Sequence, residues 1–141
     1  MTHSELAARH PTTASATKGP GKGLNVGLWI VQGLLALAML VASFGKLSGQ
    51  PAMVDLFTAV GIGQWFRYVT GLLEGIGAVL LVIPKTRVVG AGLVACVMSG
   101  AIVTHLAILH DSPAPPLVLL ALAVVVLVLR REEIRRLLGR A

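Results

Sequence analysis

The chain has 141 residues, 55% of them hydrophobic and only 13% charged, with a formal net charge of +6 and a mean hydropathy of +0.84. A soluble domain carries about 25% charged residues, and a globule this small leaves much of its surface to be covered by polar groups. These values exclude an ordinary soluble enzyme, a disordered tail and a secreted disulfide scaffold, and leave a multispan membrane protein. The single cysteine, Cys96, forms no internal disulfide and no C-x-x-C pair. Histidines at 3, 10, 105 and 110 match no zinc spacing, so no metal site is expected. Lysine and arginine flank apolar runs instead of forming one patch, which points to lipid headgroups and away from nucleic acid.

Residues 1–23 form a polar tail without apolar period, rich in Pro, Thr, Ser and Gly, and are read as flexible. The first span is expected at about 24–44, some 32 Å of helix. Lys18, Lys22 and the small residues Ala36-Leu37-Ala38 resemble a signal peptide, but hydrophobicity continues through Val41, so a retained span is the expectation. In the next loop, Met53 to Val60 is apolar but too short to cross, which suits a short interfacial or re-entrant helix. A second span at about 65–83 stops at Pro84, and a third covers about 88–109. The fourth, about 116–129, is only about 21 Å long and starts among Pro113, Pro115 and Pro116. Residues 130–141 form a basic tail in which Ile134, Leu137 and Leu138 share one helical face, suited equally to the leaflet surface or to a solvated helix end.

Ten of the twelve Lys and Arg residues fall in the two tails and the loop after span two, leaving Lys46 and Arg67 opposite them. The positive-inside rule then gives an all-α integral membrane four-helix bundle with both termini cytoplasmic. Rich Ala, Val and Gly usage suits a bacterial chain, for which the plasma (inner) membrane is the expected location.

Ionisable groups inside a bilayer are costly and face other protein groups or water. Glu74 is the sharpest case, mid-span among Leu72, Leu73, Gly75 and Ile76. Arg67, Thr70 and Glu74 share one helix face, Lys46 ends span one, and His105 lies near the outer end of span three. These five residues are expected to converge in the outer half of the bundle. Two readings stay open: an ion pair that fixes helix packing, or a proton-handling or binding pocket in which Glu74 and His105 titrate and Lys46 or Arg67 holds an anion or a quinone-like carbonyl. Gly71, Gly75 and Gly77 on span two, with Gly90, Gly92 and Gly100 on span three, are expected to let helices approach closely. Gln32 is a candidate for an interhelical hydrogen bond, Cys96 and Met98 are read as packing residues, and His110 and Asp111 as a solvated turn and cap.

Phe44-Gly45-Lys46-Leu47, Gly63-Gln64-Trp65-Phe66-Arg67-Tyr68 and Gly71-Leu72-Leu73-Glu74-Gly75-Ile76-Gly77 together resemble the DoxX-like family of small four-helix membrane proteins over roughly residues 25–130. His105 also matches that family's habit of a histidine in the third span. The resemblance implies that Lys46, Glu74 and His105 are the family-like polar positions, without carrying catalysis over to them. It also implies a role as a non-catalytic membrane subunit or accessory protein, since some members serve sulfur-oxidising, quinone-reducing or antioxidant complexes. No cofactor motif is evident, and a quinone is the ligand that a redox role would bring. The expected partners are the lipid bilayer and a soluble oxidoreductase or further copies of the chain. The competing functions are a small proton-coupled transporter using the Glu/His/Lys cluster and a quinone- or lipid-modifying enzyme.

Overall fold

The computed structural model describes residues 21–139. The expectations for residues 1–20 and for Arg140 lie outside the described residues. All regular structure among the described residues is helical: α1 (Lys22–Leu47), α2 (Pro51–Val60), α3 (Gln64–Val82), α4 (Arg87–Thr104), a π-helical turn (His105–Leu109), α5 (Ala114–Leu129) and α6 (Arg131–Leu138). The long helices α1, α3, α4 and α5 pack in that cyclic order, with α5 closing back on α1, and α2 crosses the end of the bundle against α3 and the π turn.

Punctuation in the sequence explains most boundaries. Ser48-Gly49 ends α1, Gly49 taking a φ of +70° that a side chain would oppose. Pro51 then opens α2 at a position where a missing N–H does no harm. Gly61 stops α2 in the left-handed conformation, its N–H bonded to the Phe57 and Thr58 carbonyls. Pro84 forces Ile83 into extended backbone and so terminates α3. Pro115 and Pro116 sit in the first turn of α5.

The chain has several membrane-spanning helices. α1, α3 and the continuous α4–π segment are each long and apolar enough to cross, whereas α5 reaches that length only together with α6, from which it is bent by 66°. At 16 residues, α5 is about 24 Å long, two residues longer than its apolar run suggests. α1 extends to Leu47, which sets Lys46 inside its last turn instead of after it.

Leu35, Met39, Ala78, Leu81, Ala91, Val94, Ala123 and Val126 form the common core. Large apolar residues also stand outward in number, among them Ile30, Leu34, Leu37 and Val41 on α1 and Val89 and Val103 on α4. That arrangement suits hydrocarbon and would fail in water. Cys96 is exposed on α4, contrary to its expected packing role, while Met98 is buried in the core. Two residues along a helix turn the side chain by about 200°, so both cannot face inward.

Among the described glycines, the tightest approach to another helix is at Gly90. A Cβ there would lie 2.7 Å from the Leu81 backbone nitrogen and 2.9 Å from the Leu80 carbonyl carbon. Backbone cannot swing aside as a side-chain tip can, so α4 must withdraw from α3 if this glycine gains a methyl group. Gly92 and Gly100 have no neighbour within 4 Å of such a Cβ, so within the described residues they open no close approach. Gly90→Ala is therefore expected to cost about 1–3 kcal/mol in thermal or denaturant unfolding in detergent, with Gly100→Ala near neutral or slightly stabilising. Equal effects of the two would contradict this packing.

Candidate functional site

The Lys46 ammonium donates to both carboxylate oxygens of Glu74, at 3.0 and 2.9 Å. The Glu74 side chain is 4% exposed and that of Lys46 14%. One turn back on each helix, the Ser43 hydroxyl donates to the Gly71 carbonyl at 2.7 Å. The helices run antiparallel, with Lys46 beside Gly71 and Ser43 beside Gly75, so the two contacts cross: the lysine reaches along α3 to Glu74 and the serine reaches the Gly71 carbonyl.

The glycines bracketing the carboxylate make this approach possible. A Cβ on Gly71 would sit 3.0 Å from the Lys46 Cβ, and one on Gly75 would sit 2.9 Å from the Ser43 Oγ. The Gly71-x-x-Glu74-Gly75 pattern thus combines the charge with the clearance its partner helix needs. Gly77 serves the opposite side of α3, where its hydrogen faces Val94 of α4 at a distance that leaves no room for a methyl.

Arg67 joins the cluster through backbone, not through Glu74. Its Nη1 donates to the Lys46 carbonyl, its Nε donates to Gln64 Oε1 at 2.7 Å, and its guanidinium lies 4.3 Å over the Tyr68 ring. The last carbonyls of any helix lack intrahelical donors, and Arg67 supplies one at the end of α1. Thr70 turns back onto its own helix, donating to the Phe66 and Arg67 carbonyls at 3.0 and 3.1 Å. His105 Nδ1 is 2.6 Å from Asp111 Oδ1 across the π turn. Lys46, Glu74 and Arg67 are therefore brought together, while Thr70 and His105 make their polar contacts elsewhere. Asp111, expected as a cap, is the partner of His105 instead.

A second polar network lies at the other end of the bundle, and of its members Gln32 was the one expected to make an interhelical hydrogen bond. Gln32, fully buried, donates to the Leu81 carbonyl at 2.9 Å and accepts from Arg130 Nε at 2.8 Å. Arg130 also reaches Glu133 at 3.1 Å and Asn25 at 3.3 Å. Arg87 forms a two-pronged pair with Glu133, and Arg87 and Arg130 approach the Trp29 ring at 5.5 and 6.0 Å. Arg130 is only 3% exposed, so the first residue of the expected basic tail is part of the bundle. The available signal was Glu133, an acid among arginines one turn beyond the span.

The architecture is that of a small integral membrane protein whose first and third helices are joined by a lysine–glutamate pair within the bundle. Residues 30–128 match the DoxX-like family, and the chain belongs to that family. No curated protein and no solved structure matches it.

Both networks yield measurable consequences. Removing one partner of a buried pair leaves an unanswered charge and costs about 3–5 kcal/mol, whereas replacing both by apolar residues is close to neutral. Glu74→Leu is therefore expected to lower unfolding stability strongly, and Lys46→Met with Glu74→Leu to recover most of the loss. Additive damage in the double variant would contradict coupling of the two. For Glu133, burial pushes the carboxyl up, but hydrogen bonds and charge from Arg87 and then Arg130 outweigh it and hold it below the usual carboxylate value. A depressed folded-state pKa stabilises fully above the unfolded value and loses that contribution as pH falls through the folded one. Melting temperature is expected to drop as pH falls below the usual carboxylate range, with a shallower drop in Glu133→Gln. An identical pH profile in that variant would contradict the assignment.

Proposed function

We propose that this DoxX-like protein is a non-catalytic membrane subunit or accessory protein of a quinone- or sulfur-linked redox complex. In this reading it crosses the plasma membrane four times, α5 being the short fourth crossing, with the Arg87, Arg130 and Glu133 end and both termini cytoplasmic. The distribution of Lys and Arg supports that orientation.

The observation that carries the reading is the closed Lys46–Glu74 pair. Both carboxylate oxygens are taken by one ammonium, and the adjacent Ser43 contact locks the same helix register. A carboxylate so engaged serves to hold α1 on α3, a structural use of intramembrane polar groups. The transport reading needs Glu74 and His105 on one proton path, and the His105 contact with Asp111 lends it less support.

Purification from native membranes in mild detergent tests the proposal. The expected result is a soluble oxidoreductase retained in fixed ratio, with Glu74→Gln lowering yield of the folded chain without changing the partner's turnover per complex. Solute uptake by proteoliposomes of the purified chain that depends on pH and is abolished in Glu74→Gln would overturn it in favour of transport.

A further inference from the structure

We propose that the groove between α1 and α3 is a binding site for an anionic phospholipid, one acyl chain lying in the groove and the phosphate on Arg67. The proposal is independent of the accessory-subunit reading and holds for whatever task the protein performs.

The groove has a volume of about 390 Å³, with walls that include Leu40, Leu47, Leu72 and Ile76 and with Ser43 and Gly75 on its floor. The two small floor residues create its depth. The Ser43 hydroxyl is already bound to the Gly71 carbonyl, so the floor presents no unmet polar group to a hydrocarbon chain. The groove follows α3 from Leu72 to Val79, about 10 Å along the helix, or some two-thirds of one leaflet of a hydrocarbon core about 30 Å thick.

Tyr68 is outside the groove lining but lies one turn before Leu72 on the same face of α3, toward the α2 end. Above its ring sits the Arg67 guanidinium, 4.3 Å from the centroid. Arg67 is 4% exposed, and its hydrogen bonds go to uncharged oxygens, Gln64 Oε1 and the Lys46 carbonyl. Among the described residues no carboxylate lies within 4 Å of it, since Glu74 is paired with Lys46. Buried charges are ordinarily answered by an opposite charge. Its Nη2 makes no hydrogen bond among the described residues and is not a fully buried atom, so it keeps donor capacity for an anion. Gly49 sits beside it: a Cβ there would be 3.8 Å from Nη1 and 3.9 Å from Nη2, and the glycine leaves that side bare.

A guanidinium suits a phosphate by its planar fork of donors. The first turn of α3 is where a headgroup would sit if the chain below it occupied the groove. A phospholipid supplies both phosphate and acyl chain, and an anionic one does so without a headgroup cation to oppose the Arg67 and Lys46 charges. The second basic end of the protein, around Arg135 and Arg136, is the control, because it attracts the same lipids from the opposite side.

The test is titration of the detergent-purified full chain with phosphatidylglycerol and with phosphatidylcholine of the same chains, read by native mass spectrometry and melting temperature. One phosphatidylglycerol is expected to stay bound and raise the melting temperature, phosphatidylcholine binding more weakly. Arg67→Gln is expected to weaken retention about tenfold, the worth of one charged hydrogen bond, and Arg135→Gln with Arg136→Gln to leave this bound lipid in place. If Arg67→Gln fails to fold, Leu72→Trp, which fills the groove and keeps the guanidinium, is expected to reduce retention and melting shift. Unchanged binding in Leu72→Trp, a full shift with inorganic phosphate alone, or a lipid-independent dimer that Leu72→Trp breaks would each overturn the proposal.

Discussion

A carboxylate held within hydrocarbon must be answered, and the geometry around Glu74 follows from that requirement. A lone acid at mid-span is disfavoured by a few kcal/mol even on the most lenient insertion scale, roughly 2.5–3.5. Lys46 answers it with two hydrogen bonds, which is possible only because α1 continues three residues past its apolar run and carries the lysine in its last turn. The pair then dictates how close α1 and α3 must be. Gly71 and Gly75 are the residues that permit that distance, and Ser43 uses the same proximity to bind the Gly71 carbonyl. Charge, glycine spacing and helix length are thus one solution to one electrostatic problem.

The opposite end repeats the logic with a different cast. There the charged groups enter from helix ends, where long side chains run along apolar surface and keep company with one another. Arg130 turns inward onto Gln32, Asn25 and Glu133, and Arg87 closes the other side of Glu133. One carboxylate shared by two guanidiniums joins the start of α4 to the junction of α5 and α6. This is also where the chain bends by 66°, so the network holds α6 at a set angle to the bundle. Between the two polar ends the core is wholly apolar and built from small and medium residues. Van der Waals contact and close backbone approach, as at Gly90, then contribute most of the cohesion between helices.

Much of the fold was legible because the bilayer imposes simple rules. Apolar runs of spanning length, the helix stops at Pro84 and Gly61, and the short helix within the first loop follow from local composition and backbone limits. Glu74 stood out by the same reasoning, since an acid in an apolar run has few innocent explanations. Its partner was harder to single out: Lys46 and Arg67 are both near the right depth, and sequence offers no measure of which side chain points at the carboxylate. Arg67 instead reaches the Lys46 carbonyl. His105 lies near the same end, yet the π turn and the bend after Leu109 bring Asp111 to it first.

Membership of the DoxX-like family, the all-helical character and the position of the buried acid are properties of the linear chain, because hydropathy, helix-breaking residues and charge act over a few residues at a time. The choice of Lys46 over Arg67, the capture of Arg130 by Gln32, the groove beside Ser43 and Gly75, and the outward face of Cys96 belong to the tertiary structure alone. Each depends on helix rotation and on which backbone lies opposite, and those are settled by contacts between residues distant along the chain.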